Sequence, residues 1–129
     1  GISDDVDYLG WVSGAEKERV LSIADVFVLP SYKEGMPVSI LEAMVHGAAV
    51  IATPVGGVPD MMVNERHGLL VEAGDVGALA DSLERMATLP ELRKRLAAQA
   101  HEHVLASYST ETVLRRLKAI YRETIRPAL

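Results

Sequence analysis

Two carboxylates, Glu34 and Glu42, bracket the stretch Glu34-Gly35-Met36-Pro37-Val38-Ser39-Ile40-Leu41-Glu42, and their types and spacing are the ones in this chain that could do chemistry. Glu34 ends a polar loop, and Gly35 allows backbone to approach a ligand closely. Pro37 suits the first position of a helix, where its missing N–H costs nothing. The free N–H groups of that helix at Val38 and Ser39 would face the space beside Glu34 and favour an anion there by ~0.3–1 kcal/mol. Glu42 falls about one and a half turns into the helix, in a run that is apolar almost all round. A carboxylate in such surroundings is costly unless it is paired, hydrogen-bonded or at the wet rim of a site. Two carboxylates flanking a helix start could hold the hydroxyls of a sugar and of a ribose, with phosphates between them. Taken singly, Glu34 has the plainer reading of a solvated loop residue. The combination with Gly35, Pro37 and Glu42 is harder to dismiss.

The elements that must position these groups follow from the hydrophobic pattern. Val6 to Leu9 reads as a short strand closed by Gly10. Ser13 and Glu16 have capping-box spacing, and Val20, Leu21, Ile23 and Ala24 give the next helix a buried side. Val26-Phe27-Val28-Leu29 is apolar on both faces, as a strand covered on two sides must be. Gly47 ends the helix begun at Pro37, and Ala49 to Ala52 is a third strand. The turn Pro54-Val55-Gly56-Gly57, a short helix over Pro59 to Val63, and a fourth strand Gly68-Leu69-Leu70-Val71 come next. Thereafter Asp75, Pro90 and Ser109 open three helices, the last a tail over 109–126. Strands joined through helices imply parallel pairing and an open α/β sheet. In such sheets ligands bind outside the carboxyl ends of the strands. Two loops leave such ends, Pro30 to Met36 and Thr53 to Gly57, and Thr53, Gly56 and Gly57 join the candidate residues.

Composition bounds the partners. A formal net charge of −5 argues against nucleic acid, which needs clustered Lys and Arg. The absence of cysteine excludes a disulfide framework and thiolate metal ligands, and fits a cytoplasmic setting. No apolar run reaches the length of a spanning helix, and the start has no leader pattern. The first residue is Gly, so the natural start is expected upstream.

The segment from Glu34 to Met44 resembles the E-x7-E motif of the group 1 (family 4) retaining glycosyltransferases. The surroundings agree in order: Tyr8-Leu9-Gly10-Trp11-Val12, then Ala24 to Ser31, then Thr53 to Asp60, then Gly68 to Val71 with Gly74-Asp75. The resemblance implies two Rossmann-like domains facing a cleft, the GT-B arrangement. This chain, 1–129, would be part of the C-terminal, donor-binding domain, with four strands and a helical tail but without the first two strands. It implies a nucleotide-diphosphate sugar as donor. Glu34 would sit beside the transferred sugar, and Glu42 would accept from the ribose. Backbone at Gly35, Met36, Val38 and Ser39 would hold sugar and diphosphate. Transfer would proceed on the front face with retention, without a metal or other cofactor.

The family's basic pair that grips the diphosphate would lie upstream of Gly1, and Lys33 does not match that pair. The acceptor (a glycan, lipid or small molecule) would be bound by an absent N-terminal domain, so the fragment alone is expected to be inactive. In the strand order 3-2-1-4-5-6, loss of strands 1 and 2 separates Val6–Leu9 from the rest and leaves sheet edges open. Strand exchange, edge pairing between copies or a rearranged first strand is expected. Asp5-Val6-Asp7 precedes a strand, the wrong context for a metal-binding D-x-D, and His101 and His103 diverge on a helix. On the tail, Arg115, Lys118, Arg122 and Arg126 oppose an apolar face, a pattern for an anionic membrane surface or for packing on the absent domain. Competing functions are a noncatalytic nucleotide-binding or interaction module, or an epimerase or phosphorylase acting on activated sugars.

Overall fold

The computed structural model describes residues 1–125. After a single 3-10 turn at Ser3–Asp5 come α1 (Gly14–Ile23), β1 (Val26–Leu29), α2 (Val38–Val45), β2 (Ala49–Ala52) and α3 (Val58–Met61). Then follow β3 (Leu69–Leu70), α4 (Val76–Thr88), α5 (Pro90–Tyr108) and α6 (Thr110–Thr124). The three strands pair in parallel in the order β1-β2-β3, with Val26 opposite Ala49 and Ile51 opposite Leu69. The parallel α/β sheet is as the pattern requires.

The expected first strand is absent: Val6–Leu9 pairs with nothing among the described residues, so the sheet has three strands rather than four. A strand lasts only where its backbone groups find a partner, and the outer edge of β1 does not take this segment up. Val6, Tyr8, Leu9 and Trp11 are instead exposed.

The core sits on both faces of β2, whose four residues are fully buried. Val50 and Ala52 face a cluster with Leu21, Ile40, Met44, Met61 and Val104. Ala49 and Ile51 face Leu69, Met86 and Leu96. The two-sided burial expected at Val26–Leu29 therefore belongs to β2. β1 is an edge, and its residues are only half-buried.

Helix boundaries follow their caps. Asp75 accepts from Ala78 N–H at 2.8 Å and Ser109 from Thr112 N–H at 3.3 Å. Gly47, at φ +79°, closes α2 in the left-handed region that a residue with a Cβ resists. Ser13 is the N-cap of α1 as its spacing suggests, but its side chain makes no capping bond. Ile23, assigned to the buried side of α1, is 70% exposed, leaving Leu21, with Ala24 packed beside it, to carry that face. The apolar side of α6 meets no core: Val113, Leu114, Leu117, Ile120 and Tyr121 are all exposed. Arg126 and Pro127, read as the end of this tail, lie outside the described residues. No described helix is long and apolar enough to cross a membrane.

Candidate functional site

β1 and β2 end side by side, and both loops leaving their carboxyl ends meet there. The loop after β1 carries Ser31 to Met36 into α2, and the loop after β2 carries Thr53 to Gly57 into α3. They are joined main chain to main chain. Gly57 N–H donates to the Gly35 carbonyl at 2.6 Å. Gly56 takes φ +58°, and a Cβ there would collide with the Glu34 carbonyl and lie 2.9 Å from the Gly35 oxygen. A Cβ at Gly57 would lie 2.8 Å from that same oxygen. Gly56 and Gly57 thus act as the platform on which Glu34 and Gly35 rest. At Gly35 itself the space that a Cβ would enter is open, so backbone is accessible there.

Side chains fix Glu34 further. Ser31 Oγ donates to Glu34 Oε1 at 2.6 Å, and buried Thr53 donates from Oγ1 to the Ser31 carbonyl at 2.5 Å. Thr53, at the floor of the sheet, thus holds the Ser31 main chain, and the Ser31 side chain holds the half-buried Glu34 carboxylate. Sequence reading found Thr53 and Glu34 but missed Ser31 between them. Its signal was the short Ser31-x-x-Glu34 spacing, which lets a hydroxyl reach a carboxylate three residues on.

Pro37 proves to be the cap before α2, with φ −73° and ψ 99°, so the helix starts one residue later than read. The Val38 and Ser39 N–H groups make no backbone hydrogen bond among the described residues and remain available as donors. Met36 and Val38 are exposed beside them, while Ile40, Ala43 and Met44 face the core.

Glu42 is at the half-wet margin of α2, where its burial is relieved by a cation. Lys17 Nζ, from α1, donates to Glu42 Oε1 at 2.6 Å. That bond, opposed by desolvation and helped by the charges of Glu42 and Glu18, holds the Lys17 ammonium above its ordinary value. Lys33, the cation noted in the sequence, is exposed and makes no ion pair with a described residue. Lys17 was missed, although it lies one helical turn before buried Leu21, on the side of α1 that packs. One turn beyond Glu42, His46 donates from Nδ1 to the Glu42 carbonyl at 2.8 Å, and its Nε2 is 2.7 Å from Glu18. Both ring nitrogens face acceptors. The bond to the Glu42 carbonyl, against desolvation and with Glu18 in support, raises the His46 pKa.

Beside the platform a recess of about 160 Å³ opens over the ends of all three strands, lined by Pro30, Tyr32, Thr53, Val71, Gly74 and Asp75. Tyr32 and Gly74 were not among the candidates. Gly74 adopts φ +83° with the Tyr32 hydroxyl directly over it.

The two histidines of α5 do diverge, but they are packed rather than superficial. His101 Nδ1 donates to the Met44 carbonyl and His103 Nε2 to the Met61 carbonyl, both at 3.1 Å. Through them α5 braces the ends of α2 and α3. His67 stacks on His103 at 4.1 Å between ring centroids and accepts from Val63 N–H at its Nδ1. Burial first, and then the charges of His103 and Arg66, lowers its pKa. No group of three His, Cys, Asp or Glu among the described residues is placed to hold a metal ion.

The geometry agrees with comparisons to known proteins. Residues 1–103 match the family model described as glycosyl transferases group 1. The D-inositol 3-phosphate glycosyltransferase of Saccharomonospora viridis is 37% identical over 97% of this chain and 29% of its own length. The sucrose-phosphate synthase of Thermosynechococcus elongatus superimposes with a TM-score of 0.84 and 33% identity, over 95% of this chain and 31% of that one. An Anabaena protein solved with UDP and glucose superimposes equally well, at 0.84, over 95% of this chain and 33% of that one. At 20% identity it speaks for the fold alone. The chain spans about a third of the length of these proteins. With motif order, sheet topology and the paired loops all in agreement, the chain belongs to the group 1 glycosyltransferases.

Proposed function

We propose that this chain is the donor-binding part of a retaining glycosyltransferase that moves a sugar from a nucleotide-diphosphate sugar to an acceptor held by the rest of the protein. The observation that carries the reading is the placement of Glu34. The Ser31 hydroxyl, on a residue whose carbonyl is held by Thr53, and a glycine platform fix its carboxylate at the mouth of the strand ends, immediately before the free N–H groups of α2. A carboxylate there can accept from the hydroxyls of a sugar and stabilise positive charge developing at its anomeric carbon. The backbone of Gly35, Met36, Val38 and Ser39 supplies donors to the sugar and diphosphate. Glu42 accepts from the ribose. The leaving diphosphate then takes the acceptor's proton on the same face, which gives retention, and no step calls on a metal.

The test uses the complete protein. Glu34→Ala should lower sugar transfer by about 10²-fold or more while nucleotide binding persists, the scale seen when one charge-stabilising group is removed. Glu42→Ala should weaken nucleotide binding and raise the donor KM. Normal transfer by the Glu34 variant would remove the role assigned to it. A noncatalytic module would bind nucleotide yet show no Glu34-dependent transfer.

A further inference from the structure

We propose that Lys17 is a donor-binding residue, forming with Glu42 a combined donor and acceptor for the ribose 2′- and 3′-hydroxyls. The inference rests on the reading of Glu42 given above. The ammonium lies 2.6 Å from Oε1 of Glu42, and Oε2 takes no hydrogen bond from a described residue. An ammonium has three N–H donors and a carboxylate about four lone-pair sites, so a single bond between them leaves both groups largely unspent. The two side chains are 36% and 31% exposed, which leaves the unspent positions open to a ligand. A hydroxyl donates one hydrogen bond and accepts others. Set against this pair, it donates to the carboxylate and accepts from the ammonium, whereas a lone carboxylate satisfies only the first.

The alternatives on the same residues are weaker. His46 and Glu18 are already turned toward each other, and Lys33 carries no partner that would aim it. Lys17 is aimed by its place on α1, one turn before Leu21, whose buried side chain anchors that face of the helix.

The experiment titrates UDP, GDP and ADP, each beside its 2′-deoxy counterpart, into the complete wild-type protein and into K17M, K17R and E42Q. The nucleotide that binds wild type tightest should lose about tenfold in affinity in K17M, the scale of one charge-assisted hydrogen bond. The preference of K17M for ribo- over deoxynucleotide should shrink to within about twofold, and K17R should keep most of it. K17M with wild-type affinity and preference, in a protein where E42Q binds weakly, overturns the role of Lys17 and leaves that of Glu42 standing. Tighter binding by K17M makes the ion pair a latch over Glu42 and also overturns it. A lower melting temperature with an unchanged ribo-to-deoxy ratio marks Lys17 as structural only. Wild-type affinity in E42Q, or no binding of any nucleotide by wild type, overturns the ribose reading and this inference together.

Discussion

Glu34 was legible from its neighbours in the chain, but what holds it was not. Gly35 and Pro37 announce a loop turning into a helix, and that much is local. The partner that shapes the loop is Gly56, over twenty residues away, and nothing near Gly56 says which backbone its missing side chain makes room for. From sequence the glycine pair reads as a turn, and the family resemblance puts that turn near the donor; the structure adds that the pair packs against the backbone of Glu34 and Gly35. Gly56→Ala should therefore act at Glu34. The added methyl strains a positive φ and overlaps the Glu34 carbonyl, so sugar transfer should fall by about tenfold or more in the complete protein. Ala at Gly35, where the space is open, should disturb the loop less. Equal transfer by wild type and Gly56→Ala would show that the platform does not set the position of Glu34.

Elements whose apolar residues meet a partner among the described residues have their packing written in their period; for the others the period gives the element and not its cover. α5 buries Leu96, Ala100 and Val104 against the sheet, and its period of apolar residues says so. α6 has as clear a period, yet a helical stripe shows only that a face is apolar, not what covers it. The same limit explains Val6–Leu9, whose β-rich composition gives no pairing partner. Two substitutions separate the cases. Leu96→Ala should cost about 2–5 kcal/mol by opening a cavity between α5 and β2. Leu117→Gln, on the uncovered face of α6, should stay within about 0.5 kcal/mol in this chain. Denaturant unfolding of both variants reads the difference. A large loss for Leu117→Gln would mean that α6 packs on this domain after all.

At the scale of the whole molecule, two histidines couple stability to pH in opposite directions. His46 has its folded pKa raised above the ordinary 6.5. The stability it contributes is complete below that ordinary value and is lost as pH rises through the folded one. His67 has its folded pKa lowered from 6.5, so its contribution is present above the ordinary value and is lost as pH falls through the folded one. Ring-proton NMR titration should place His46 above and His67 below free imidazole; the reverse order would contradict both environments. Acid should thus loosen the contact of His67 with His103, and mild alkali the tie between α1 and α2. The main-chain bond between Gly57 and Gly35 has a different reach. It positions the loop before α2 without using the side chains of Lys33 or Met36, which are exposed. Those two side chains can therefore be exchanged while the carboxylate stays in place, so on the proposed reading one scaffold can be retuned toward new sugars without being rebuilt.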